Sequence, residues 1–271
     1  MSLVRKLLDY INKLRRDNGV PPVMYANSGA ANYRVNYMFR ENLFSHYDRE
    51  GIHPIYYFTL TGNFYGAEES IGYAQSEGLY FKDGVSALNG AKRMIYDMVY
   101  NDQESNWGHR DSLLDPCFNY ADVSVAWDSR RLFLDVMMMA VWTRWEMKPS
   151  WHNGRFRMKG TVKEMMPEGI LIYWDEPNPS YISRPYYDFG RPLAGVLPDG
   201  YEYHGIKTIT SSKWIMGEKV EVEFPLNLGV GVYTVLQLAK DRRGINWRPM
   251  TSKRVGECLI LTYAFRNNRG L

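Results

Sequence analysis

Two of the five histidines sit in short polar segments crowded with other groups able to do chemistry. Phe44-Ser45-His46-Tyr47-Asp48 is one and Trp107-Gly108-His109-Arg110-Asp111 the other, with the doublet Glu68-Glu69 between them. Imidazoles and carboxylates that converge in a cleft hold a divalent cation or move a proton. The residues therefore nominate one composite site that folding assembles. Neutral His46 and His109 suit zinc, with the remaining coordination positions left to water. Acidic neighbours would accept the distal ring N–H groups and fix the tautomers.

The alternative use of the same groups is a metal-dependent hydrolase, a peptidase or esterase working through a metal-bound water, with Glu69, His46 and His109 as catalytic candidates. Neither histidine stands in a His-Glu-x-x-His helix, so the metalloprotease signature is missing. Ser45 and Ser70 adjoin the candidates, but adjacency along a chain is not the geometry of a triad. A non-enzymatic binding cleft is the reading taken here. His152 and His204 are expected on the surface or in turns, as is His53, which stands next to Pro54 within reach of the cleft rim.

The elements that must position these groups follow from the pattern. At 271 residues, with 45% apolar and 23% charged residues, the chain is an ordinary globular sequence of one large or two moderate domains. The net charge of +3 asks for no nucleic-acid partner. No stretch is apolar for long enough to span a membrane. Met1-Ser2-Leu3 reads as a leader standing in place of an export signal. Cys117 and Cys258 are not a disulfide framework; two buried free thiols are expected, with a bridge between the halves as the alternative.

Leu7, Leu8, Ile11 and Leu14 share one stripe, which predicts a helix over Val4–Arg16. A second helix is expected from a Ser28 cap to Asn42, a short one over Ile55–Leu60 and a third long one over Val85–Tyr100. Asn101–Gly108 is then a polar loop that delivers His109. Val123–Trp127 and Leu132–Val141 read as a hairpin, and Met137-Met138-Met139 within it as core. Past Pro149 helical periodicity stops. Short β-rich runs replace it, at Phe156–Lys163, Ile170–Trp174, Lys219–Phe224, Val232–Leu238 and Leu259–Phe265. The expectation is an α+β protein: residues 1–148 a helix-and-sheet domain, residues 149–271 a small all-β sandwich for interaction or anchoring.

Four local matches make the first half resemble the CAP superfamily (cysteine-rich secretory proteins, antigen 5 and pathogenesis-related proteins). Asn12–Arg15 followed by Gly19, Pro22 and Tyr25 is similar to the family's opening stretch. Phe44-Ser45-His46-x-Asp48-x-x-Gly51-x-x-Pro54 is similar to the prokaryotic form. Glu69-Ser70-Ile71 stands where the family has Gly-Glu-Asn-Ile, with Glu68 and Ser70 departing from the pattern. Gly108-His109-Arg110 followed by Leu113-Leu114-Asp115-Pro116-x-Phe118 is similar to a prokaryotic segment. The resemblance covers roughly residues 4–142.

It implies an α-β-α sandwich with a central cleft, carrying a tetrad of two histidines and two glutamates. His46, Glu69 and His109 take three of these places. The fourth falls on Asp97, with Glu104 as runner-up, and Glu68 is a further acidic partner. The resemblance also implies an extracellular or cell-surface protein whose cleft takes an unidentified ligand, with a surface or wall component as partner of the β-domain.

Overall fold

The computed structural model describes residues 2–268, and Met1 of the leader reading lies outside them. The protein is α+β, with the α-helices in the first half and the second half built of strands apart from a 3-10 turn at Pro179–Ser183. Helix α1 (Leu3–Asp17) buries the predicted stripe of Leu7, Leu8, Ile11 and Leu14. Strand β1 (Met24–Tyr25) leads to α2 (Ala30–Glu41), α3 (Pro54–Leu60), β2 (Gly66–Gln75) and α4 (Gly84–Tyr100). Then come α5 (Gly108–Leu114), β3 (Tyr120–Trp127) and β4 (Arg131–Ala140). Gly29, not Ser28, caps α2; the Ser28 hydroxyl instead donates to Asp122 Oδ2 at 2.5 Å.

These strands form one sheet in the order β1-β3-β4-β2. Strand side chains alternate between faces, and β4 uses both. Leu132, Leu134, Val136, Met138 and Ala140 share a core with α1, α4 and α5. Phe133, Met137 and Met139 pack with residues of α2 and α3. The Met137–Met139 run is therefore core on both sides, as its strand position predicts. The Asn-x-x-Arg stretch has a structural task as well. Asn12 Nδ2 donates to Val23 O at 2.8 Å, and buried Arg15 donates to the carbonyls of Leu113 (2.5 Å) and Phe118 (3.2 Å). It thereby anchors the end of α5.

The chain leaves β4 through Val141 and Trp142 and enters β5 (Thr143–His152), a strand running straight through the position where the sequence placed a boundary. The remaining strands are β6 (Arg155–Val162), β7 (Met165–Asp175), β8 (Arg191–Leu197), β9 (Lys207–Thr210), β10 (Lys213–Ile215), β11 (Lys219–Pro225), β12 (Gly231–Asp241) and β13 (Glu257–Asn267). They make two sheets, β10-β11-β6-β5 and β13-β12-β7-β8-β9. One core joins them: Phe156, Met158, Val222 and Phe224 of the first meet Ile170, Ile172, Val235 and Ile260 of the second.

The two halves are tightly joined. Thr262 of β13 donates its N–H to Tyr65 O at 3.1 Å. A Cβ at Gly66 would stand 1.8 Å from the Leu259 carbonyl oxygen, so only glycine permits this approach. The expectation of two free thiols is corrected here. Cys117 and Cys258 form a disulfide with Cα atoms 5.5 Å apart, across a sequence separation of 141 residues. The turn after α5 carries Cys117 to the start of β13, a proximity with no local sequence signal. Among the described residues no helix is long and apolar enough to cross a membrane.

Candidate functional site

His46 lies in the segment after α2, which ends at Asn42 in the left-handed region (φ 47°). What holds that segment is Arg34, a fully buried residue of α2. Its Nη2 donates to the carbonyls of Ser45 (3.1 Å) and His46 (2.7 Å), and its Nε donates to Glu69 Oε1 at 2.8 Å. The other carboxylate oxygen of Glu69 meets His46 Nδ1 at 2.7 Å. One guanidinium thus fixes both the loop and the acid that orients the imidazole. Burial alone would raise the Glu69 pKa, but the charges of Arg34 and His46 outweigh it and bring it to about 2.

His109 is in the first turn of α5, preceded by Trp107 in the left-handed region (φ 64°). The sequence expectation of a loop delivering His109 is corrected: the 3-10 turn at Gln103–Ser105 and α5 itself do so. Its Nδ1 meets Asp102 Oδ1 at 2.8 Å, and Asp102 Oδ2 accepts the N–H of Arg110 at 3.1 Å. The imidazoles face each other with centroids 6.5 Å apart and planes inclined by 27°. Each Nδ1 is tied to a carboxylate. Each Nε2 is left without a protein partner among the described residues.

Both rings line one cavity of about 280 Å³. Its other walls include Glu68, Ser70 and Ser112 of the first half, and Tyr187, Phe189 and Lys253 of the second. The Ser70 and Ser112 hydroxyls are buried and have no hydrogen-bond partner. Neither Ser45 nor Ser70 bonds to a histidine; Ser45 Oγ accepts the N–H of Tyr47 at 3.1 Å.

Three residues stand elsewhere than the sequence suggested. Asp97 does not reach His109: it pairs with Arg93 Nε at 2.9 Å and takes Asn101 Nδ2 at 2.6 Å on the outer side of α4. Asp102, past the helix end, holds the position instead, because α4 runs on to Tyr100 and turns Asp97 away. Glu104 is exposed. Glu68 lines the cavity but pairs with Lys253 Nζ at 2.7 Å rather than with a histidine, and Lys253 also reaches Asp115 at 2.9 Å. Burial opposes the charge on Lys253, yet the two carboxylates prevail and raise its pKa.

His53 is not at the rim or on the surface. It is buried between α3 and β12, sharing a 3.2 Å hydrogen bond with Thr234 Oγ1 and packing edge-on against Phe189. Burial pushes its pKa down to about 3. His152 and His204 are exposed.

Sequence reasoning missed Arg34, Asp102, Asp135 and Tyr187. A charged residue on the apolar stripe of Ala31, Val35 and Met38 was a readable signal for Arg34. Asp135 is fully buried on β4; burial, then the Glu69 charge and a hydrogen bond shared with the Glu69 carboxylate, hold its pKa well above the carboxylate range. The Tyr187 hydroxyl accepts the N–H of Glu69, and no pattern near Glu69 announces so distant a partner.

Two imidazoles are donors of the type that divalent cations take. The ring nitrogens facing the cavity are the right donors, and each ring is oriented by an acid. Among the described residues no three His, Cys, Asp or Glu side chains gather into a larger ligand group.

Among solved structures, the chain is similar to the CAP domain of Enterococcal PrgA, at 16% identity and a TM-score of 0.38, over 51% of this chain and 60% of that one. It is also similar to an outer surface protein from Borrelia burgdorferi, at 12% identity and a TM-score of 0.39, over 51% of this chain and 92% of that one. The chain spans about three fifths of the PrgA chain it matches. No protein-family model and no curated protein matches the sequence.

Proposed function

We propose that the protein is a CAP-like, non-enzymatic cleft protein of the cell exterior or surface, which binds a divalent cation and a ligand between its two halves. The single observation supporting this is the pair of imidazoles in one cavity, each anchored through Nδ1 by a buried acid and each presenting an unpartnered Nε2. On this reading the helices on the two faces of the first sheet are the layers of an α-β-α sandwich. The two later sheets, from β5 to β13, are a β-sandwich that serves interaction with a surface or wall component.

His46 and His109 would hold the cation, zinc by donor type, and Glu69 and Asp102 would keep their rings in place. A bound cation would supply Lewis-acid attraction for an oxygen-bearing ligand. Ser70 and Ser112 offer hydroxyls to that ligand, and the Tyr187 and Phe189 rings offer it an apolar wall. The compartment reading is supported by the Cys117–Cys258 bridge, since such bonds persist in oxidising surroundings.

Isothermal titration with Zn²⁺ is the test. Saturable binding in wild type, abolished in the His46→Ala, His109→Ala double variant, is expected. Absence of wild-type binding above pH 7 removes the metal from the proposal. Chelator-sensitive turnover in a substrate screen, lost in Glu69→Gln, replaces the binding reading with a hydrolase.

A further inference from the structure

A second pocket, of about 310 Å³, shares no residue with the cavity between the histidines. It is lined by Asn18 at the end of α1, Arg110 of α5, and Asn246, Trp247 and Arg248 from the segment joining β12 to β13. The lining contains two guanidinium groups, two amides and an indole, and no carboxylate.

Two nitrogens of these side chains lack a hydrogen-bond acceptor. Arg110 Nη1 and Trp247 Nε1 are buried and have no hydrogen-bond acceptor. The Arg110 guanidinium reaches Asn18 Oδ1 at 3.4 Å and stands 3.8 Å from Asp111 Oδ1. Asp111 is already engaged by the N–H groups of Met250 at 2.9 Å and Thr251 at 2.7 Å. Arg248 is exposed and makes no ion pair among the described residues. It differs in this from Arg243, Lys253 and Arg254 on the same segment, which pair with Asp241, with Glu68 and Asp115, and with Glu257. Trp247 is only 6% exposed and packs into the core of the first half, so this wall of the pocket is pinned.

Buried donors without acceptors are rare and call for an explanation. A pocket lined by two guanidinium groups and an indole N–H, with no carboxylate, is complemented by a ligand that accepts. Guanidinium forks match the oxygens of phosphate and sulfate in bidentate fashion. We propose that this pocket binds a tetrahedral oxyanion, a phosphate or sulfate group, through Arg110, Arg248 and the Trp247 indole N–H, with the Asn246 amide adding a donor and Asn18 Oδ1 holding the Arg110 guanidinium in place.

The test is isothermal titration of the whole chain with inorganic phosphate at fixed ionic strength, with chloride as the blank. Saturable binding is expected, weakened about tenfold in Arg248→Gln by loss of one charge-assisted contact. Arg110→Gln should weaken it at least as much; should that variant fail to fold, exposed Arg248 decides alone. The His46→Ala variant, which leaves Asp102 and its hold on Arg110 intact, should bind phosphate as wild type does, which separates this site from the cleft. Inorganic polyphosphate distinguishes the sources. Tighter binding than the single ion, lost in Arg248→Gln, assigns the pocket to polymer-borne phosphate; equal affinity per phosphate group assigns it to the free ion. No heat above the chloride blank, or an affinity unchanged in Arg248→Gln, overturns the proposal.

Discussion

Tyr187, in the segment leading to β8, accepts the backbone N–H of Glu69 through its hydroxyl at 3.0 Å, while its ring lies 5.0 Å from that of His46. A residue of the second half thus completes the hydrogen bonding of the acid that orients a histidine of the first. Removing that hydroxyl in Tyr187→Phe leaves a buried N–H unpaired, which costs roughly 1–3 kcal/mol. Urea unfolding should report a loss in that range. An unchanged midpoint would mean that the contact contributes nothing.

The Arg34–Glu69 pair is fully buried, so breaking it strands a charge. Arg34→Met should destabilise the protein by roughly 3–5 kcal/mol near neutral pH. The pH dependence has a definite sign. The Glu69 pKa falls from its ordinary 4.5 to about 2 on folding, so its stabilisation is whole above pH 4.5 and is lost as pH falls through 2. Urea titrations of wild type and variant across that window should converge toward acid; parallel curves would refute the assignment.

His53 acts from a higher pH downward. Folded, it stays neutral to about pH 3, whereas the unfolded chain takes up the proton near 6.5. Native stability is therefore full above pH 6.5 and declines on acidification, by about 1.4 kcal/mol per pH unit for one such proton. Between pH 6.5 and 4.5, above the Glu69 window, His53→Phe should show a shallower decline than wild type. Equal slopes in chemical denaturation would show that His53 is protonated in the folded protein.

The junction of the halves depends on a missing side chain. Gly66→Ala forces a Cβ against the Leu259 carbonyl, backbone against backbone, at an expected cost of about 1–3 kcal/mol. Gly78→Ala, where a Cβ meets nothing within 4 Å, is the control and should be neutral. Limited proteolysis should cut between β4 and β5 faster in the first variant only.

The disulfide closes the same junction. Cys117→Ser with Cys258→Ser should lower unfolding free energy by about 2–5 kcal/mol, and reductant should bring wild type toward the variant. A variant as stable as oxidised wild type would show the bridge to be dispensable.

Much of the fold was legible because it follows from local periodicity. The stripe of Leu7, Leu8, Ile11 and Leu14 declares α1 within a residue of its observed ends, and the β-rich runs after Pro149 coincide with five of the later strands. Strand β5 escaped because its residues carry no clean alternation; partly exposed Trp145 and Trp151 lie on it, and its pairing with β6 shifts register twice.

His46, Glu69 and His109 were likewise readable, since each stands in a short motif whose neighbours set its backbone. Their partners were not. Asp97 lost to Asp102 because the end of α4, not the spacing of acids, decides which carboxylate turns toward His109. Cys258 and Lys253 reach the first half because β12 and β13 bring them back across it, and Tyr187 because the segment between β7 and β8 does. Residue order determined the first four α-helices and strands β3, β4, β6, β7, β11, β12 and β13, and it nominated three groups of the candidate site. The end of α4 decided which acid meets His109, and packing between the two halves decided which lysine and which aromatic wall surround the cavity, because contacts over more than a hundred residues leave no trace in local sequence.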